Sequence, residues 1–311
     1  MEYQEFVSQI EEKLRTRYKE MGLDYNLSVR QNDVRNKGLC TAIMIDKKQN
    51  KSPCKPVVYM ESGYDAFKEG MSLDEIVDQI ITAIEKEEVT TNLENRAFSK
   101  SILLKNLRME LIHKDKNQTL LTKIPHRLVA DLALVYEYEL GKYEEEVYTT
   151  SITNRHMELL GLTEEELFKA AMECRKAVAP YTIRSMNEIL AMDEEDKIKE
   201  IVDEMTILTT QDGYHGASCI LYPEAIEALS DMKEGNLMLL PCSIHEWIVL
   251  PENLLEAYEG LAELVQKINR EVLQEEEVLS DHVYFYDVQR QELTVCGEEQ
   301  EQTIGQPVLG R

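Results

Sequence analysis

The sequence predicts an α+β fold, with mixed, largely antiparallel sheets flanked by amphipathic helices. Three observations carry this. Extended segments come in runs and do not alternate strictly with helices, which argues against a doubly wound parallel sheet. Several other segments repeat apolar residues every three or four positions, as a one-sided helix requires. Two of those open with a Ser or Thr followed three residues later by Glu, the pattern of a capping box.

From the N-terminus, Phe6, Ile10, Leu14 and Tyr18 stand four apart, so residues 3–20 form a helix. LSVRQNDVRNKGLCTAIMI reads as two strands, 27–31 and 38–45, around the turn NDVRNKG. PVVYME is a short extended piece. Ser72 and Glu75 cap a helix whose Ile76, Ile80, Ile81 and Ile84 share one face. The polar run EKEEVTTN then separates a smaller N-terminal α/β lobe, 1–92, from a main α+β domain, 100–296.

In the main domain LRMELIH, 107–113, reads as a strand. RLVADLALVYEYEL, 127–140, leaves two readings open: its β-branched and aromatic content favours strand, and its length permits helix. EEVYTTSIT is another strand. Thr163 and Glu166 open the helix LFKAAMECRKAV, which Pro180 ends. MNEILAMDEEDKIKEIVDEM is helical and acidic. EMTILTT and GASCILY read as strands joined by QDGYHG, and Pro223 starts the helix PEAIEALSDM. NLMLLP and IHEWIVLP form a hairpin turning at Pro241–Ser243. Leu254, Tyr258, Leu261, Val265, Ile268 and Val272 give a helix packed on the sheet, with a seam that also suits a homodimer through 254–272. HVYFYDV and ELTVCG close the domain. Residues 297–311 read as a flexible acidic tail.

The net charge of -25 is unevenly placed. Residues 1–150 hold 22 Lys and Arg against 26 Asp and Glu, a net of −4, and residues 151–311 hold 12 against 33, a net of −21. Such a field repels phosphate backbones and anionic lipid, so the second half is not expected to bind nucleic acid, and its expected partner is a basic protein. The six cysteines show no C-x-x-C spacing and are expected to be free thiols. The start, MEYQEFVSQIEEKL, lacks a basic and an apolar leader region. No apolar run approaches the roughly 20 residues of a membrane span. A soluble, cytoplasmic protein is expected.

LLPCSIHEWIVLP, 239–251, gathers a cysteine, a serine, a histidine and a glutamate. Read as a strand, it puts His245 with Trp247 on one face and Glu246 on the other. An H-E-x-x-H zinc motif needs a second histidine one turn on, and HEWIV has none. A structural polar pair outweighs a binding or catalytic role here. His282, in SDHVYFYD beside Asp281 and Tyr284, and His215, in QDGYHGAS beside Asp212 and Tyr214, are the other histidines of interest. The catalytic candidates are His245, Glu246 and His282, and the binding candidates are Tyr214, His215, Trp247, Tyr284 and Tyr286. Zinc would accept His215, His245 and His282 with Glu246 or Asp281, but nothing in the sequence gathers them. No metal site and no cofactor is expected. There is no phosphate loop and no dinucleotide fingerprint.

Four stretches, NRHMELLGLTEEELFKAA, GASCILYPEAIEAL, LLPCSIHEWIVLP and EEVLSDHVYFYD, resemble an uncharacterised bacterial family defined only as a domain of unknown function. That family is met often in Gram-positive gut anaerobes and near mobile elements. NQTLLTKIPHRLVADLALVY fits more weakly, and together these cover most of 105–290. The resemblance implies a bacterial, soluble, cytoplasmic and non-modular protein, and no activity. The leading expectation is therefore a non-catalytic protein-binding module with an acidic surface. The rival is a hydrolase or metal-assisted enzyme around His245, Glu246 and His282.

Overall fold

The computed structural model describes residues 1–47, 56–90, 99–143, 146–186 and 204–297. The chain divides into two compact units, Met1–Ala97 and Phe98–Arg311. The fold is α+β, and the strand pairings described are antiparallel.

The first unit starts with helix α1, Tyr3–Glu20, which buries Phe6, Val7, Ile10, Leu14 and Tyr18. Strands β1, Tyr25–Val34, and β2, Gly38–Lys47, pair around a tight turn in which Asn36 and Gly38 both take positive φ. These strands extend beyond the span their apolar residues mark, because the hairpin ladder runs to the turn itself. β3, Val57–Tyr59, adds a third strand beside β2 and leads into α2, Met60–Lys68. Ser72 and Glu75 form the expected reciprocal cap of α3, Leu73–Thr90. Its Ile76, Val77, Ile80, Ile81 and Ile84 pack with α1 and with Leu27, Ile43 and Ile45.

The second unit holds two sheets. After a one-turn helix α4, Lys100–Leu103, strand β4, Leu107–His113, runs into a 3-10 turn and the short α5, Gln118–Leu121. The ambiguous segment 127–140 is a hairpin. β5, His126–Val129, turns through Ala130 at φ 52° into the long β6, Leu132–Tyr143. β6 pairs with β4 along one edge, and with β5 and then β7, Glu146–Ser151, along the other. Helix α6, Asn154–Leu160, has an uncommon cap: Thr153 accepts from the His156 backbone N–H, and the Thr153 N–H donates to His156 Nδ1. Helix α7, Glu164–Val178, carries the Thr163–Glu166 box and ends before Pro180.

The second sheet has the order β13, β12, β10, β11, β9, β8. Its strands are β8, Tyr181–Ser185, β9, Thr206–Thr210, β10, Leu237–Ser243, β11, Glu246–Pro251, β12, Tyr284–Asp287, and β13, Glu292–Val295. Two expectations are corrected here. GASCILY is not a strand: Gly216–Leu221 winds as a 3-10 helix buried along its whole length. A continuous apolar run has no period, so burial alone cannot tell strand from helix. The hairpin between β10 and β11 turns at Ile244 and His245, not at Pro241–Ser243, which lie within β10. Pro241 and Ser243 both pair with β11, with a bulge between them, so the proline is accommodated beside an irregularity.

Pro223 opens α8, Pro223–Lys233, as expected. Helix α9, Tyr258–Glu271, sets Val265, Leu261 and Ala262 against Met238, Leu240, Leu250 and Val283 on one face of the second sheet. The other face shares one core with the first sheet, α7, the 3-10 helix and α8. Most of 186–205 and of the expected tail 297–311 lies outside the described residues, as does Cys54. Of the described cysteines, Cys174, Cys219, Cys242 and Cys296 are free thiols. Among the described residues no helix is long and apolar enough to cross a membrane.

Candidate functional site

In an antiparallel ladder, directly paired residues project to the same face. Arg108 of β4 is paired with Glu137 of β6, and Glu110 with Val135. Arg108, Glu110 and Glu137 therefore share one face of the first sheet, with Glu139 two residues on along β6. The rest of that face is apolar, formed by Ile112, Ala133 and Val135 with Leu121 and Ile124. Charges among such neighbours are costly unless met by polar groups.

The loop between β9 and the 3-10 helix supplies two of those groups, Asp212 and His215, and β6 and the end of α7 supply the others. Arg108 donates from Nε to Glu139 at 2.6 Å and from Nη2 to Asp212 at 2.5 Å and to the Val178 carbonyl at 2.9 Å. Asp212 also accepts from the Tyr214 N–H at 3.3 Å, which shapes the loop. His215 places Nδ1 3.1 Å from Glu137 and Nε2 3.6 Å from Glu110. Arg108 and Glu110 are 1% exposed, Glu137 3% and His215 7%. One ligand atom from each of Glu110, Glu137 and His215 lies within 4.8 Å of the other two, which makes them a potential metal-ligand set.

His215 reaches this position through a backbone in the left-handed region, at φ 50° and ψ 35°. Its carbonyl accepts from the Ser218 hydroxyl, and its ring stacks on that of Tyr214 at 3.8 Å. The Tyr214 hydroxyl bonds Thr149 of β7, so the loop grips the first sheet at a second point. The next residue can only be glycine. A Cβ on Gly216 would stand 2.3 Å from Thr209 Oγ1, 2.4 Å from the His245 carbonyl and 2.6 Å from the Thr210 nitrogen.

His245, in the β10–β11 turn, backs the centre. Its Nδ1 accepts the backbone N–H of His215 at 3.1 Å. Burial, then the neighbouring His215, lowers its pKa, with Glu277 and a bond to the Gly213 backbone opposing. Glu246 begins the next strand, opposite Ser243 and Thr209, and takes no part in the centre. Burial raises its pKa, and Arg184 partly offsets this. Trp247 is fully buried, donates from Nε1 to the Ala217 carbonyl at 2.7 Å and meets Tyr284 edge-on at 5.4 Å. Tyr286 is buried, and desolvation pushes its phenol up to about 12.

His282 belongs to a separate set. Its Nδ1 lies 2.7 Å from Asp131, at the β5–β6 turn, and the same carboxylate accepts from the Tyr284 hydroxyl at 2.7 Å. The His282 side chain is 48% exposed. The structure thus brings His215, Tyr214 and His245 together, gives His282 and Tyr284 a common partner, and puts Glu246 with neither group. Cys242, beside the turn, is no ready nucleophile, since burial pushes its thiol up to about 12.

Sequence reasoning missed Arg108, Glu110, Glu137 and Glu139. Each stands inside a strand that otherwise reads as core. The signal was the spacing: R-x-E in LRMELIH and E-x-E in VYEYEL put two charges on one face of an apolar strand.

Fold and centre together define a class: an α+β protein in whose second unit two sheets are joined across a buried carboxylate, imidazole and guanidinium centre. Residues 3–288 match the family of unknown function DUF5688, and the chain belongs to that family. No curated protein and no solved structure matches it.

Proposed function

We propose that the chain is a non-catalytic protein-binding module that acts in the bacterial cytoplasm through an acidic surface. The observation that carries this is the burial of the polar centre. Arg108, Glu110, Glu137 and His215 expose 7% or less of their surface and are engaged with one another and with Glu139 and Asp212. That is the arrangement of a latch between two sheets. It leaves the surface of the second unit, where the net charge of −21 is concentrated, as the part that meets a partner. A basic protein is the complement to that field. Pull-down from a bacterial lysate at about 0.05 M and about 0.5 M salt is the test, since screening weakens contacts between exposed charges. A basic partner captured at low salt and lost at high salt is the expected outcome. Recovery of no partner at low salt, or of one indifferent to salt, overturns the reading.

One observation favours a second reading, a hydrolase. The Asp131 carboxylate holds His282 by Nδ1 while the ring stays half exposed, which is how a general base is oriented. Screening with chromogenic carboxylic and phosphoric esters tests it. Turnover that disappears in His282→Gln would establish this reading against the first, and no turnover would remove it.

A further inference from the structure

We propose that Glu110, Glu137 and His215 bind one divalent first-row transition ion, zinc being the representative case, and that this ion ties the two sheets together. The inference goes beyond the binding-module reading and stands or falls independently of it.

The ligand chemistry selects the ion. One imidazole and two carboxylates supply nitrogen and oxygen donors and no thiolate, a set that suits zinc, manganese or iron better than the all-oxygen preference of calcium and magnesium. The three donors come from three separate segments, β4, β6 and the loop after β9, and all are buried. An ion there would link the first sheet to the second.

The distances point the same way. His215 Nε2 and Glu110 stand 3.6 Å apart. Charge-assisted hydrogen bonds close to about 2.7–2.9 Å. Two ligands on one ion, each at about 2.0–2.2 Å, stand roughly 3.3–3.6 Å apart in tetrahedral or trigonal geometry. The third donor, Glu137, stands 3.1 Å from the other ring nitrogen, and one ligand atom from each of the three residues lies within 4.8 Å of the other two. His245 and Tyr214 hold the His215 backbone and ring from behind, so the donors are positioned before an ion arrives.

The competing account is a hydrogen-bonded Glu–His–Glu triad with no ion. Chelator-treated full-length protein titrated with zinc chloride separates the two. One ion per chain is expected, with the thermal midpoint raised by about 5–10 °C at a hundredfold excess over the dissociation constant. Glu110→Gln and His215→Asn should lose that binding. Asparagine is chosen because it tolerates the left-handed backbone. Glu246→Gln should keep the binding. Because either centre variant could fail to fold, X-ray absorption of the zinc-loaded unaltered protein gives a second readout. A first shell of nitrogen and oxygen agrees with the proposal. Sulfur in that shell places the ion on cysteines and overturns it, as does a titration with no saturable site.

Discussion

His215 gives its backbone N–H to Nδ1 of His245 at 3.1 Å, and the two imidazoles lie nearly parallel with centroids 5.6 Å apart. Accepting at Nδ1 requires His245 to be neutral, with its proton on Nε2. The β10–β11 turn therefore holds the β9 loop by a bond that protonation would break. Burial already opposes that protonation.

Arg108 is the hub of the centre. Replacing it with methionine strands Glu139 and Asp212 in a site with little solvent, and should cost about 3–5 kcal/mol. Arg108→Lys should recover only part of that, because an ammonium cannot reproduce the fork that reaches Glu139 and Asp212 together. Urea unfolding of the three proteins checks the order. Equal midpoints for the arginine and methionine forms would show that the hub carries no stability.

Gly216→Ala should destabilise by about 1–3 kcal/mol or more, since the added methyl meets backbone as well as side-chain atoms. The damage should be local to the centre. A far-ultraviolet spectrum that stays native while zinc affinity falls is the expected pattern.

Glu246→Gln should stabilise the protein at neutral pH, by about 1 kcal/mol or less, the scale of a single polar contact. Burial raises the carboxyl above its ordinary value of 4.5. An acid with a raised folded pKa contributes stability below the unfolded value and loses it as pH rises through the folded one. The glutamine form should therefore lead at pH 7, and its advantage should fade below about pH 4.5. Denaturation midpoints at pH 4 and pH 7 measure this, and an advantage that grew on acidification would contradict it.

His156→Gln should make the second unit less sensitive to acid. His156 accepts from the Thr153 N–H only while Nδ1 is unprotonated, and burial, then Arg155, lowers its pKa from 6.5. A base with a depressed folded pKa contributes stability above the unfolded value and loses it as pH falls through the folded one. Glutamine at the same position restores an ordinary capping box without a titrating group. Midpoints should match at pH 7.5, and at pH 5 the variant should be ahead by up to about 1 kcal/mol, the worth of a cap.

Helices α1, α3, α7, α8 and α9 were legible because their signals are local: apolar spacing in α1 and α9, the Ser72–Glu75 and Thr163–Glu166 boxes, and Pro223 at a helix start; α2, Met60–Lys68, was not, and the extended piece PVVYME runs into it at Met60. The hairpin of β1 and β2 was legible for the same reason. Gly216–Leu221 was not, since its burial on every side erases the alternation that separates strand from helix. The centre was half legible. His215 stood out in a glycine-flanked loop, and Tyr214 and Asp212 beside it. Glu110 and Glu137 did not, because what unites them is the register that pairs Arg108 with Glu137, and register is a property of two segments together.

The contacts that join the sheets of the second unit reach far along the chain: 78 residues from Glu137 to His215, 104 from Arg108 to Asp212 and 153 from Asp131 to Tyr284. During synthesis at about 5–20 residues per second, β4 and β6 emerge several seconds before the loop that answers their charges. Until then Arg108 lacks Asp212, and Glu110 and Glu137 lack His215, so closing the first sheet over that face is costly. The centre thus sets an order of assembly, in which the earliest strands of the unit are the last to be sealed. A ribosome stalled after residue 186 should hold β4–β7 in a protease-sensitive state, and protection should appear only once the chain has passed β11.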